Sequence, residues 1–267
     1  HAARPHLAEE IGEKIFTAEY AKGAERGMFL YLRVLCELCG EKKEEPMDIA
    51  EAIHNRRSTR AFLPKPVPKT VIENILDAAR WAPSWGNTQP WEFLVVGGEA
   101  LGKIGKDFCR RLAEGAKDNP DISMPEEWDE PYKGRYQQVG RGLFDTLGVA
   151  RDDKAARNAH YQRMYAFFGA PAVIFILMGE KLGRYSLFDC GSVTQTICLL
   201  AGREGLGTCV LAAAVRHPDI IRAHVPVPPG KKFVIGIAIG YPDPGSPYDK
   251  FRSSRVPLGE IVSWVDQ

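Results

Sequence analysis

The chain has 267 residues, with 35 Lys and Arg against 34 Asp and Glu, 45% hydrophobic residues and 10% aromatic residues. This composition is that of an ordinary globular protein and excludes a collagen-like or largely disordered chain. A formal net charge of +1 provides no bulk attraction to nucleic acid or to a membrane surface, so we expect neither partner and look for a local anion site.

The sequence has neither the pattern of a membrane span nor that of a signal peptide. Its longest apolar run, 170–178, is roughly half the length that a spanning helix needs, and the first residues have no basic start followed by an apolar stretch. The 6 cysteines of this long chain do not indicate a disulfide scaffold. We therefore predict a cytoplasmic protein.

Residues 1–46 are predicted to form a helical extension that ends in a linker. Two helices broken near Gly23 cover 7–40, and the charged run EKKEEP follows at 41–46. Cys36 and Cys39 form a single CxxC in this extension. Because no second pair completes a four-cysteine site, we interpret them as core-facing helix residues and predict no bound metal.

From residue 47 onward, segments with helical and strand patterns alternate, which indicates one central sheet in an α/β or α+β fold. Antiparallel pairing remains open at this stage. The stretch 117–140 is too long for a plain connection, so it is either a functional excursion or disordered. Helices are predicted at 48–54, between Pro68 and Pro83, at 101–116, 152–168 and 186–203 and from 218, and strands at 91–98, 172–179, 207–213 and 231–240.

Three arginines and two hydroxyl residues follow the first of these helices, in the sequence RRSTR at 56–60. Guanidinium groups bind phosphate with two parallel donors, and hydroxyl groups add further donors. The segment is therefore a candidate anion site. A solvated basic turn is the alternative, and RRSTR alone does not decide between the two.

A second candidate is the loop APSWGNTQPWEF at 82–93, which precedes a predicted strand. Its prolines forbid a continuous helix, Gly86 permits a positive φ, and Asn87 offers both an amide donor and a carbonyl acceptor. Such a side chain suits a heterocycle edge or the hydroxyls of a polyol. The alternative is an ordinary turn between a helix and a strand.

Together the two segments resemble the flavin-dependent nitroreductase family, which opens with R-x-S-x-R followed by P-S-x-x-N-x-Q-P-W. The segment 188–212 is similar to the family's central helix and following strand, 234–243 to its last core strand, and RVPLGEIV at 255–262 to its R-x-P-L-x-E-x-V close. The resemblance covers 47–267 and implies an α+β, three-layer fold. In such a fold helices flank a central, mostly antiparallel sheet, and two chains form an intertwined homodimer.

The resemblance also implies an FMN phosphate site built from both ends of this domain. Arg255 supplies a guanidinium from the tail, and Ser253 stands where a lysine often helps to hold the phosphate. The residues implied to hold the phosphate and the ribityl chain from the first motif are Arg56, Arg57, Ser58 and Arg60.

Further flavin contacts follow from the same resemblance. Asn87 is implied to contact the flavin or its ribityl chain, while Pro83 and Ser84 contact the flavin of the neighbouring subunit. Two departures from the family pattern are Trp85, where a small residue is usual, and Ala212-Ala213, where some members have Glu-Gly. The residues implied to place backbone amides near flavin N5 are Val210, Leu211 and Ala212.

The excursion is predicted to be a lid insertion at 118–140, and 130–171 is similar to a subgroup of nitroreductases with a long insertion over the active site. We expect Trp128, Tyr132 and Tyr136 to face the pocket and to set the choice of acceptor. The alternative is a surface loop whose aromatic side chains pack on its own helices.

The sequence predicts an enzyme whose cofactor performs the chemistry, without a catalytic side chain. No G-x-G-x-x-G follows a strand, and neither metal-ligand spacing nor a G-x-S-x-G elbow occurs. We therefore predict an FMN oxidoreductase that transfers hydride from NADH or NADPH to nitroaromatic or similar electron-poor acceptors by a ping-pong mechanism. The alternatives are a reductive dehalogenase, a flavin-modifying enzyme of the same fold, and a flavin-binding protein that docks a partner with little catalysis.

Overall fold

The structure, a computed structural model, describes residues 48–265. The predictions of a helical extension and linker at 1–46, and of core-facing Cys36 and Cys39, lie outside the described residues. Within residues 48–265, no helix is long and apolar enough to cross a lipid bilayer.

Four antiparallel strands form one sheet at the centre of the described part of the chain. They are β1 (Trp91–Gly97), β2 (Ala172–Gly179), β3 (Gly207–Leu211) and β4 (Lys231–Gly240), in the spatial order β1-β2-β4-β3. The continuous apolar run AVIFILM of β2 is buried throughout, because β1 and β4 flank it and helices cover both faces of the sheet.

Seven helices surround the sheet in the described part of the chain. Alternate residues of β2 face two separate cores, since successive side chains of a strand point to opposite faces. Phe175 belongs to one core, with Phe108 of α3 and Ile221 of α7, whereas Ile174 belongs to the other, with Ile75 of α2 and Val193 of α6. The helices are α1 (Ile49–Asn55), α2 (Lys69–Ala79), α3 (Gly98–Ala113), α4 (Tyr132–Thr146), α5 (Lys154–Tyr165), α6 (Arg184–Arg203) and α7 (Pro218–His224).

This arrangement confirms the predicted α+β fold with a mostly antiparallel sheet flanked by helices. The strands expected at 172–179 and 231–240 have the predicted bounds. The third strand is shorter than predicted, because β3 ends at Leu211 and a single turn, Ala212–Val215, packs against β4. A Cβ added to Gly236 of β4 would lie 2.6 Å from Cβ of Ala214, so the turn sits directly on the strand.

The excursion at 117–140 differs from the sequence prediction in its second half. Helix α4 begins there, at Tyr132, and continues beyond the predicted end of the excursion. Residues 117–131 have no helix or strand. The helix was missed because its sequence, YKGRYQQVGRGLFDT, carries three glycines and few apolar residues, so it lacks a strong helical pattern.

Candidate functional site

A cavity of about 550 Å³ brings the two ends of the domain together. The RRSTR segment forms one side and the C-terminal segment forms the other, although the two are almost two hundred residues apart in sequence. The predicted site residues that line this cavity are Arg56, Arg57, Ser58, Arg60, Ser253 and Arg255.

Five of the residues that line this cavity are arginines, because Arg252 joins the four predicted ones. None of the described residues that line it is acidic. Such a concentration of guanidinium groups in a concave site attracts an anion with more than one charge. The Ser58 and Ser253 hydroxyl groups add neutral donors at the same place.

The sheet holds the RRSTR segment in position. Ser58 forms a parallel bridge with Thr208 of β3, and the Thr59 backbone N–H donates to the Thr208 carbonyl oxygen at 2.8 Å. The close contact between the RRSTR segment and β3 requires glycine at position 207, since a Cβ added to Gly207 would lie 2.3 Å from Oγ1 of Thr59. The segment thereby extends the sheet beyond β3, which fixes its backbone relative to the core.

Several cavity residues were missed by the sequence analysis. Arg252 lies close to Arg255 in sequence, so the local density of cations was a usable signal. Gln195 comes from the middle of α6 and Val139 from α4, and neither has a local pattern that marks it. Ile53, His54 and Phe251 complete the wall.

The loop 83–89 lies outside this cavity in the single chain. Three of its residues have positive φ, Gly86 at 57°, Asn87 at 55° and Gln89 at 45°. The Gln89 backbone N–H donates to Oγ of Ser84 at 3.0 Å, which closes the loop on itself. Pro83 and Asn87 are exposed and Ser84 is half-buried, so all three are accessible to a molecule that approaches from outside.

The loop is attached to α6 by two contacts. The backbone N–H of Trp85 donates to Oδ1 of Asp189 at 3.2 Å, and the Trp85 ring lies 5.8 Å from the ring of Tyr185. Tyr185 and Asp189 are four residues apart and therefore lie on the same face of the helix. Asp189 is buried, whereas Trp85 and Tyr185 are more than 70% exposed.

The predicted amide donors at the end of β3 also lie outside the lining of the arginine cavity. Val210 is the last but one residue of the strand and is 41% exposed, Leu211 is buried, and Ala212 begins the following turn with an exposed side chain. Their part of the chain continues from Thr208, which pairs with the RRSTR segment.

The predicted lid divides into an attached part and an exposed part. The Asn119 backbone N–H donates to the Arg216 carbonyl oxygen at 3.0 Å, and Asp121 pairs with Arg222 at 2.6 Å and accepts from the Phe233 backbone N–H at 2.9 Å. The first few residues of the lid are therefore fixed to the core. Ile122 and Met124 are partly buried against the two cores, and the exposed part begins after Met124.

The three predicted acceptor residues lie in the exposed part. Trp128 and Tyr136 are stacked, with ring centroids 6.1 Å apart and an angle of 8° between their planes. Tyr132 is 55% exposed, and the Arg135 guanidinium lies 5.8 Å from its ring centroid. None of the three lines the arginine cavity, but Val139, three residues after Tyr136 on α4, does.

A family model described as the nitroreductase family matches residues 53–241 of the chain. The chain belongs to this family. It is 33% identical over 224 residues to a chloronitrobenzene nitroreductase of Comamonas testosteroni, a match that covers 82% of this chain and 97% of the relative. The resemblance drawn from the sequence motifs is thereby confirmed.

Solved structures of nitroreductases share the fold. The FMN and NADPH-dependent nitroreductase NfnB from Sphigopyxis sp. strain HMH superposes with a TM-score of 0.79 at 32% identity, over 83% of this chain and 100% of that chain. NfnB from Mycobacterium smegmatis, solved in complex with NADPH, has a TM-score of 0.76 at 28% identity, over 82% of this chain and 100% of that chain.

In this nitroreductase family member, Ser253 has a definite structural role. Its hydroxyl oxygen accepts a hydrogen bond from Nη1 of Arg255 at 3.0 Å, and the same nitrogen donates to the Ser254 carbonyl oxygen at 2.9 Å. A lysine at position 253 would add a charge to the cavity. The serine instead orients the arginine that is already there.

Proposed function

We propose that this chain is an FMN-dependent oxidoreductase that transfers hydride from NADH or NADPH to nitroaromatic or similarly electron-poor acceptors. The observation that carries the proposal is the cavity lined by five arginines and no described acid, built where the family motifs predict the FMN phosphate. The names of the relatives agree, since both NfnB proteins are described as FMN-dependent and the Comamonas testosteroni relative as a nitroreductase.

The donor set of the cavity fits the phosphate and ribityl chain of FMN. The phosphate carries close to two negative charges at neutral pH, and arginine forks compensate such a group better than single ammonium groups do. Arg56, Arg60 and Arg255 are proposed to bind the phosphate, with Ser58 as an additional donor. The Gln195 amide at the same wall suits the hydroxyls of the ribityl chain.

The proposed mechanism needs no catalytic side chain. FMN, when bound, would supply the redox chemistry of hydride transfer between the nicotinamide and the acceptor. The protein binds and orients the reactants, and the backbone amides of Val210, Leu211 and Ala212 are proposed to stabilise negative charge at the ring. Because the sequence has no separate dinucleotide motif, we propose that NAD(P)H and the acceptor occupy the same site in turn.

We propose that the functional unit is a homodimer. Large apolar side chains are exposed in the single chain, among them Phe188 of α6 at 74% and Trp264 of the tail at 74%. Exposed apolar surface of this kind is typical of an interface. Pro83 and Ser84 are exposed or half-buried and lie outside the lining of this chain's own arginine cavity, which supports a contact to the neighbouring subunit's flavin.

We also propose a cytoplasmic location. The four described cysteines are free thiols, as is typical of a reducing compartment.

The function is tested with the purified full chain. The chromophore released by denaturation is identified, and the oxidation of NADH and of NADPH is followed with and without nitrobenzene. We expect FMN, and turnover that depends on the nitroarene, with parallel lines in double-reciprocal plots. Release of FAD, or no FMN binding even after reconstitution, would contradict the assignment of the arginine cavity. Intersecting lines would contradict the shared site.

A further inference from the structure

Arg57 is bound to the C-terminal segment of its own chain. Its Nη1 donates to the Asp249 carbonyl oxygen at 2.9 Å, and its Nη2 forms an ion pair with the Asp249 carboxylate. The two side chains are 38% and 30% exposed, so the pair is partly shielded from water. The Arg57 side chain therefore uses both terminal nitrogens on Asp249, although it belongs to the wall of the cavity.

Residues 247–255, here termed the strap, are held by contacts with α5. The Tyr248 hydroxyl lies 2.9 Å from Nδ1 of His160, and the two rings are stacked with centroids 5.7 Å apart. Arg163 of α5 lies 5.6 Å from the centroid of the Tyr248 ring. Burial, reinforced by nearby arginines, lowers the pKa of His160 to about 4, so this contact joins two neutral groups at neutral pH.

The next strap residues contact further elements. The guanidinium of Arg60 lies 5.6 Å from the centroid of the Phe251 ring, and a Cβ added to Gly142 of α4 would lie 3.2 Å from that ring. Arg252 donates to the carbonyl oxygens of His54 and Asn55 at the end of α1. These contacts lead directly to Ser253 and Arg255, whose position in the cavity depends on the path of the strap.

If the cavity binds an anion, the negative charge of Asp249 must be neutralised, and Arg57 neutralises it. A free carboxylate beside the arginine cluster would repel a phosphate, whereas an ion pair has no net charge. An ion pair with Asp249 also leaves Arg57 with little net charge to offer a phosphate. Arg252 is held at the end of α1 by its hydrogen bond to the Asn55 carbonyl oxygen. The cations that remain to bind the anion are Arg56, Arg60 and Arg255.

We propose that Arg57 and Asp249 are positioning residues for the FMN site: their ion pair fixes the strap so that Ser253 and Arg255 face the phosphate, and Arg57 is not itself a phosphate ligand. The inference rests on the proposed function, because it assumes that the cavity binds the FMN phosphate. It differs from the role that the family resemblance implies for Arg57, and it assigns a role to Asp249, which the sequence did not indicate.

The test is a double-mutant cycle on the apoprotein, with FMN binding measured by quenching of flavin fluorescence. Arg57→Ala and Asp249→Ala are each expected to weaken FMN binding by about five- to tenfold, and the double variant by no more than the larger single effect. If Asp249 had no positioning role, its removal would reduce the electrostatic repulsion of the phosphate and strengthen FMN binding. Unchanged or tighter FMN binding by Asp249→Ala would therefore overturn the inference.

A second readout reports the strap itself. Lys250 and Arg252 are trypsin sites within it, so both single variants are expected to be cleaved there faster than the wild type. Asp77→Ala is the matched control, since it removes the acid of an exposed Arg–Asp pair on α2. We expect it to change neither binding nor cleavage. Cleavage of the Arg57 and Asp249 variants at the wild-type rate would contradict a positioning role.

A conservative variant guards against loss of folding. Arg57→Lys keeps the positive charge but not the two-donor fork, so we expect weaker FMN binding and faster cleavage of the strap. Full retention of both properties would contradict the inference. The proposed function fails separately: if the wild-type apoprotein binds no FMN, the cavity is not an FMN site. If the wild type binds FMN, and Arg56→Ala weakens it while Asp249→Ala does not, only the role of the ion pair is wrong.

Discussion

The backbone N–H of Trp85 donates to the buried carboxylate of Asp189, so a buried side chain of α6 helps to hold the loop that carries Ser84 and Asn87. The second carboxylate oxygen, Oδ2, is buried and has no hydrogen-bond partner among the described residues. The loop backbone has positive φ at Asn87 and Gln89, which side-chain-bearing residues adopt at a cost. The Asp189 contact helps to keep this loop in its strained conformation.

Replacement of Asp189 by alanine is expected to loosen the loop and to reduce stability. The Trp85 amide loses its acceptor and the loop can relax, so the free energy of unfolding should fall by about 1–2 kcal/mol. Urea unfolding measures this change, and the intrinsic tryptophan fluorescence, to which Trp85 contributes, should shift as the contact between the Trp85 and Tyr185 rings weakens. Asp77→Ala, on an exposed helix face, is the control. An unchanged unfolding midpoint would show that the hydrogen bond does not hold the loop.

Arg56→Ala is expected to weaken FMN binding by at least about tenfold, because it removes a cation that no described acid in the cavity neutralises. Riboflavin lacks the phosphate, so its affinity should change little. Fluorescence titration of the apoprotein with each flavin makes the comparison. An equal loss for FMN and riboflavin would mean that Arg56 supports the site without contacting the phosphate.

Phe188→Asp is expected to disrupt the proposed homodimer, because it places a charge on an exposed apolar position of α6. Light scattering at micromolar concentration should change from the mass of a dimer to that of the 29.6 kDa chain. Lys103→Asp, on the exposed side of α3, is the control and should remain dimeric. A wild-type protein that is monomeric with flavin bound would refute the dimer and the role of Pro83 and Ser84 in it.

The exposed aromatic residues of the lid are expected to select the acceptor. Replacement of Trp128 by alanine removes one ring of the Trp128–Tyr136 stack, and replacement of Tyr132 removes the ring that the Arg135 guanidinium contacts. Values of kcat/KM for a panel of nitroarenes should change unequally, while FMN occupancy stays at the wild-type level. A uniform loss for every acceptor would favour the alternative of a structural surface loop.

His160 is expected to make the fold sensitive to acid. Its pKa is about 4 in the folded chain against 6.5 for an unperturbed histidine, because burial disfavours the charged ring. The unfolded chain therefore binds more protons between these values, and stability present above pH 6.5 is lost as the pH falls towards 4. The loss is on the order of 3 kcal/mol.

Urea unfolding of wild type and of His160→Gln between pH 4 and 7 measures this effect. The variant should have a flatter dependence of stability on pH, because glutamine does not titrate. Part of the slope should remain, since burial also lowers the pKa of His217. Identical slopes for the two proteins would exclude His160 as a source of the acid sensitivity.

Much of the fold was determined by local sequence patterns. The run AVIFILMG contains only apolar residues and glycine, which predicted a buried strand, and both this run and KKFVIGIAIG form strands with the predicted bounds. The arginines of RRSTR and Arg255 were predicted from their family motifs to belong to one site, and they line one cavity in the structure. Helix α4 was not predictable in this way, because its glycine-rich sequence becomes helical through packing such as that of Leu143 and Phe144 in the core.

The tertiary structure alone decided which of these charges remain available to a ligand. Arg57 and Asp249 are 192 residues apart, and nothing in either local sequence indicates that they pair. Gln195 and Val139 likewise enter the cavity only because α6 and α4 pack beside it. A sequence motif specifies the chemical groups of a site, but their neutralisation, orientation and neighbours depend on contacts between distant segments, which form only when the chain is folded.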